Sequence, residues 1–172
     1  TGTPQAGNGI GSLGTAGAWA DVHINAQTGN VTLDGPVHVG ANATDAGHGG
    51  SPIARAHFAA SAGDNLSASS VTINAQVTAP NAHNAFGLAL GEFSASGSQI
   101  AIAGHIGMNA LVNAGAGASG NVGAVADLVA NAHGGQVAIV NGLAMNANAV
   151  DLGSSGAALA YANADIQGAA GV

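Results

Sequence analysis

Apolar and polar positions alternate with a period of two over much of the chain. The run Ala158-Leu-Ala-Tyr-Ala-Asn-Ala-Asp-Ile166 sets small against larger residues one by one, and Ala54-Arg-Ala-His57 and Val122–Ala132 behave alike. Successive side chains of a strand point to opposite faces, so this alternation predicts strands. Apolar-x-apolar triplets recur at Val22-His-Ile24, Val31-Thr-Leu33, Val37-His-Val39, Val71-Thr-Ile73, Ile100-Ala-Ile102 and Val137-Ala-Ile139. Turn signals separate them: Asp34-Gly-Pro, Ala46-Gly-His-Gly-Gly, Ala95-Ser-Gly-Ser, Gly117-Ala-Ser-Gly and Asp151-Leu-Gly-Ser-Ser-Gly. In each, Gly supplies positive φ, or Asp or Ser bonds the local backbone.

The pattern also repeats. Gln99-Ile-Ala-Ile matches Gln136-Val-Ala-Ile, and Met108-Asn-Ala matches Met145-Asn-Ala, both at an offset of 37 residues. Earlier copies are looser. A degenerate repeat of strands and Gly-bearing corners predicts an all-β parallel β-helix, or β-solenoid, in preference to a hairpin sandwich or barrel. The expectation is one domain over residues 1–172, with a Gly-rich entry segment at 1–18 and stacked coils over 19–172. Its candidate core is Val31, Leu33, Val71, Ile73, Ile100, Ile102, Val137 and Ile139. Roughly seven to nine coils of about 18–25 residues would make a stack about 35–45 Å long. The repeat unit is then either two such coils or one flattened coil.

Composition fits this picture. Ala (41) and Gly (29) together fill two-fifths of the 172 residues. Ala is the best helix former, but Gly at a helix-interior position costs about 1 kcal/mol, and here Gly is scattered throughout. Ala offers little apolar area to bury, so the core must be thin and the backbone ladder regular. Charged residues are 5% of the chain, with Arg55 the only Lys or Arg against 8 acids, for a net charge of -7. Nothing is available to neutralise phosphates, which speaks against nucleic-acid binding. With no Cys, disulfide, thiol and Cys-ligated zinc chemistry are excluded. No uninterrupted apolar run is long enough for a membrane helix. The start, Thr1-Gly-Thr-Pro-Gln, lacks Met and a basic segment and reads as processed or excised.

The phrases Asp21-Val-His-Ile-Asn-Ala, Gly29-Asn-Val-Thr-Leu-Asp-Gly-Pro-Val-His-Val and Ser70-Val-Thr-Ile-Asn-Ala-Gln-Val resemble repeats of filamentous-haemagglutinin-like adhesins. They also look like passenger domains of large bacterial autotransporters. The likeness covers Asp21–Val77 in wording and later units in composition only; the chain departs in its excess of Ala and lack of Lys. What the resemblance implies is a right-handed parallel β-helix exported to the bacterial cell surface for adhesion and biofilm formation.

Candidate chemistry is sparse. Gly9-Ile-Gly-Ser-Leu-Gly14 and Gly115-Ala-Gly-Ala-Ser-Gly120 fit the dinucleotide fingerprint, but neither has the required strand-then-helix context. The chain carries seven His (23, 38, 48, 57, 83, 105 and 133) without a recognisable metal spacing. His23 and His38 sit mid-triplet and face away from their apolar neighbours, so solvent exposure is expected; stacking between coils or weak metal capture is the alternative. Asp127 and Asp165 lie one repeat apart within a residue, and such a carboxylate pair is what a polysaccharide-cleaving site would need. Thr32 and Thr72 would align in a flat ice-binding face, although the equivalents at 101 and 138 are Ala. The recurrent Asn residues are suited either to turns or to amide ladders along a parallel sheet.

The sequence therefore predicts a structural, non-catalytic, extracellular fibre protein, or a segment of a large adhesin, with no cofactor and no metal site. No charged or helical cap is evident at the C-terminal end, which implies a longer chain or a further copy continuing the stack. The predicted partner is the protein itself, stacked head to tail through Trp19, Tyr161 and Val172, with matrix glycans a further candidate and no membrane insertion. A flat-faced module binding ice or glycans is the alternative.

Overall fold

The computed structural model describes residues 8–11, 16–47, 49–97 and 99–168. These form fourteen strands and no helix, arranged in three parallel sheets. Sheet one stacks β1 (Asn8–Gly11), β4 (Val37–Asp45), β7 (Val71–Ala79), β10 (Ile106–Ala114) and β13 (Leu143–Asp151). Sheet two stacks β2 (Gly17–Ala26), β5 (Ile53–Ala62), β8 (Ala85–Ala95), β11 (Val122–Ala132) and β14 (Ala158–Gln167). Sheet three holds the short strands β3 (Val31–Leu33), β6 (Leu66–Ala68), β9 (Gln99–Ile102) and β12 (Gln136–Ile139). The chain visits the sheets in strict rotation, so each turn is a three-sided coil and the molecule is a parallel β-solenoid.

The repeat unit is one coil. Aligned residues along sheet two are Gly17, Ile53, Phe86, Gly123 and Leu159, steps of 36, 33, 37 and 36. The offset of 37 holds in all three sheets only between the third and fourth full coils, for example Ile106 to Leu143 and Gln99 to Gln136. Earlier coils are shorter partly because their strands are: β2 and β5 have 10 residues where β8 and β11 have 11, and β3 and β6 have 3 where β9 and β12 have 4. About four turns at roughly 4.8 Å each give a stack near 20 Å long, half the expected length. The short-coil expectation fails because two long strands and one short strand consume the whole unit.

Two apparent equivalences change. Val31 aligns with Leu66, Ile100 and Val137 on sheet three, whereas Val71 aligns with Val37, Ile106 and Leu143 on sheet one. The triplets look alike because any inward-outward-inward strand start does. The described residues of the five predicted breaks fall at strand ends and at the corners between strands.

The core is thin and built from columns. Val31, Val71, Ile73, Ile100 and Ile102 are buried; Leu33, Val137 and Ile139 are half-buried, Val137 and Ile139 because they lie in the terminal layer of their sheet. In sheet two, Ala20, Ala56, Ala89, Ala126 and Ala162 form one inward column. The next column runs Val22, Phe58, Gly91, Leu128 and Ala164, and beside it stand Ile24, Ala60, Phe93, Ala130 and Ile166. Large and small residues thus alternate along the last of these columns and, from β5 onward, between it and the one beside it. A methyl group at Gly91 would come 3.2 Å from the side-chain tips of Ile73 and Leu128, which already fill that space. The Phe58 and Phe93 rings pack with centroids 5.5 Å apart. Ala serves here as the spacer that lets two rings fit inside a narrow coil.

Candidate functional site

The outer face of sheet two carries the densest chemistry. Strand alternation sends Asp21 and His23 of β2 outward on the same side. The parallel register sets Asp21 directly beside His57 of β5, and His23 beside Ala59, which in turn adjoins Glu92 of β8. Because Ala59 is small, His23 and Glu92 are free to lean over the neighbouring column towards His57.

Asp21 Oδ1 lies 3.0 Å from His57 Nδ1 in a hydrogen bond and 2.8 Å from His23 Nε2. The two imidazoles meet edge to face with centroids 5.0 Å apart. On the far side, His57 Nε2 lies 3.5 Å from Glu92 Oε1, too far for a good hydrogen bond, and that nitrogen is buried without a partner. His57 is only 5% exposed, although its strand position points outward. Asp21, His23 and Glu92 remain accessible to solvent. Beside the cluster runs an open groove of about 540 Å³ lined by His23, Asn25, Ser61, Glu92, Asn131 and His133, among others. Two carboxylates and two imidazoles thus converge across three coils, and Arg55, the only Lys or Arg in the chain, lies two residues from His57 on β5.

The other His residues are dispersed. His83 Nδ1 bonds Ser119 Oγ at 3.2 Å, and His38, His105 and His133 are exposed; His48 lies outside the described residues. Among the described residues, only His23 and His57 come together, through the 36-residue step between β2 and β5. Asp21 and His23 are two residues apart on one strand, a spacing that does not by itself signal a site. The third member, His57, was hidden because the early step differs from the late repeat.

Asp127 and Asp165 do not pair. Asp127 aligns with Asn163, whose Nδ2 donates to its Oδ1 at 2.9 Å, while Asp165 aligns with Val129. A coil length of 36 residues between β11 and β14, rather than 38, separates them by two positions. Thr32 and Thr72 also stand on different sheets, beside Ser67 and His38 respectively. Asn residues do form ladders: Asn109 Nδ2 donates to Asn74 Oδ1 at 2.8 Å, and Asn65 Nδ2 to Asn30 Oδ1 at 3.2 Å. The second fingerprint, Gly115–Gly120, is a corner between two strands.

Trp19 and Tyr161 occupy one outward column of sheet two, at the first and last strands, and are 59% and 52% exposed. The Trp19 ring folds over Gly17, and Phe86 similarly covers Gly123. Val172 lies outside the described residues. At the stack ends, among the described residues, nothing pairs with the outer edges of β2 and β14. Val22 and Ile24 are half-buried at one end; Met145 is half-buried and Ile166 exposed at the other.

No family model, curated protein or solved structure matches this chain.

Proposed function

We propose that this protein is a structural, non-catalytic element of a bacterial surface or matrix fibre, which extends by continuing its stack at the ends. The observation that supports this reading most is the pair of open edges on sheet two. Among the described residues, each end presents unpaired backbone groups beside apolar side chains, half-buried on β2 and exposed on β14, and parallel ladders of this kind template further strands. Leu159 and Tyr161 stand exposed on the last strand, and Asp165 is the only charged side chain on it. The low charge of the chain leaves little repulsion to oppose stacking, and its net -7 restrains unlimited association. The extracellular setting rests on the resemblance to surface adhesin repeats.

Electron microscopy of the purified chain is the test. Uniform filaments with an axial layer spacing of about 4.8 Å are expected. A monodisperse monomer at high protein concentration contradicts end-to-end stacking.

A further inference from the structure

We infer that Asp21, His23 and His57 form a binding site for one divalent transition-metal ion of the zinc type, with Glu92 as the carboxylate that orients His57. Three donor atoms, one from each residue, lie within 4.8 Å of one another. Tetrahedral zinc with ligands at about 2.0–2.1 Å sets its donor atoms roughly 3.3 Å apart. The Asp21 Oδ1 distances to His23 Nε2 and His57 Nδ1, 2.8 and 3.0 Å, are already close to that edge length. Small outward shifts of two exposed side chains open the centre.

The buried imidazole supplies an independent reason. A 5%-exposed His57 holds Nδ1 on Asp21 and leaves Nε2 buried and unpartnered, aimed at Glu92. With a cation on Nδ1, the proton must sit on Nε2, and Glu92 Oε1 is the acceptor placed to receive it. A metal-ligating His whose second nitrogen donates to a carboxylate is the recurrent arrangement that fixes tautomer and ring orientation. The cation would also offset the two carboxylates, for which the only Lys or Arg in the chain, Arg55, is a single charge. Two nitrogens and one oxygen favour zinc, copper(II) or nickel(II) over magnesium or calcium, which prefer oxygen donors. Three protein ligands leave a fourth position for water, on the side of the groove lined by Asn25, Ser61 and His133. The ion would tie β2, an edge strand of sheet two, to β5.

The test is calorimetric titration of the full chain with zinc chloride, paired with thermal melts followed by circular dichroism. One zinc per chain is expected, together with a higher Tm in its presence. His23→Ala and Asp21→Asn, both at exposed positions, should each weaken zinc binding at least tenfold and abolish the Tm rise while keeping the β-type spectrum. Glu92→Gln should weaken it by about ten- to a hundredfold, the range for a lost orienting partner. His105→Ala, on a different sheet corner, should change nothing. Absence of binding, several equivalent sites per chain, or binding that survives His23→Ala and Asp21→Asn but falls with His105→Ala overturns the inference.

Discussion

Replacing Phe93 by Ala should cost close to the upper limit for a core truncation. The Phe93 ring is 1% exposed and packs against Phe58 at 5.5 Å. Its column neighbours are Ala60 and Ala130, in the coils on either side. Neither has a side chain that can swing into the space, so the cavity would persist. Phe→Ala changes in cores cost about 3–5 kcal/mol, and sites that cannot collapse lie at the top of that range. About 4–5 kcal/mol is therefore expected, at least about a quarter of the roughly 5–15 kcal/mol that holds an ordinary domain together. At this chain length such a loss corresponds to roughly 10–20 °C in Tm. Because coils stabilise their neighbours, a lesion in the third coil should weaken the second and fourth as well. Urea unfolding followed by far-UV circular dichroism measures it. A loss under about 2 kcal/mol, well below the cost of a Phe cavity, would mean that the ring is not enclosed as described.

Two other perturbations separate corner geometry from end chemistry. Gly120→Ala would drive a methyl group into the His83 carbonyl of the coil below, a rigid backbone contact, and should cost about 2–3 kcal/mol in the same urea assay. Gly35→Ala, with open space around it, should stay within about 0.5 kcal/mol and serves as the control. Leu159→Asp combined with Tyr161→Asp places two charges on the exposed last strand. It should abolish filaments in electron microscopy while leaving the circular dichroism spectrum unchanged; persistent filaments would remove β14 from the stacking interface.

The sequence is most legible where local rules act alone. Period-two alternation and Gly- or Asp-rich corners depend only on neighbouring residues, and strands and breaks were placed from them. The coil length is a non-local quantity. It shows as an offset of 37 between the last two full coils and shrinks to 33 between β5 and β8, so equivalent residues drift out of step. Asp127 and Asp165 fall two positions out of register for that reason, whereas Val31 and Val71 look alike only because strand starts on different sheets share a local pattern. The Asp21–His23–His57 cluster was hidden by the same drift. Two of its members are adjacent on one strand, but the third arrives only through the register of β2 on β5. The burial of an outward His57 was not legible either, since it depends on the side chains that lean over it from both neighbouring coils. The interleaving of Phe58 with Gly91 and of Phe93 with Ala60 likewise needs the register before it can be read.

The register itself is the claim on which the rest depends, and the absence of Cys makes it directly measurable. Asn42 and Gln76 are exposed partners on adjacent coils, 34 residues apart. Their Cα atoms should be about 4.8 Å apart, within the range a disulfide spans. Asn42→Cys with Gln76→Cys should therefore close a bridge under mild oxidation, read as a mobility shift on non-reducing gels and by mass spectrometry. Asn42→Cys with Asn74→Cys, displaced by two positions to about 8 Å, should not. Efficient bridging of the second pair and not the first would contradict the three-sided coil.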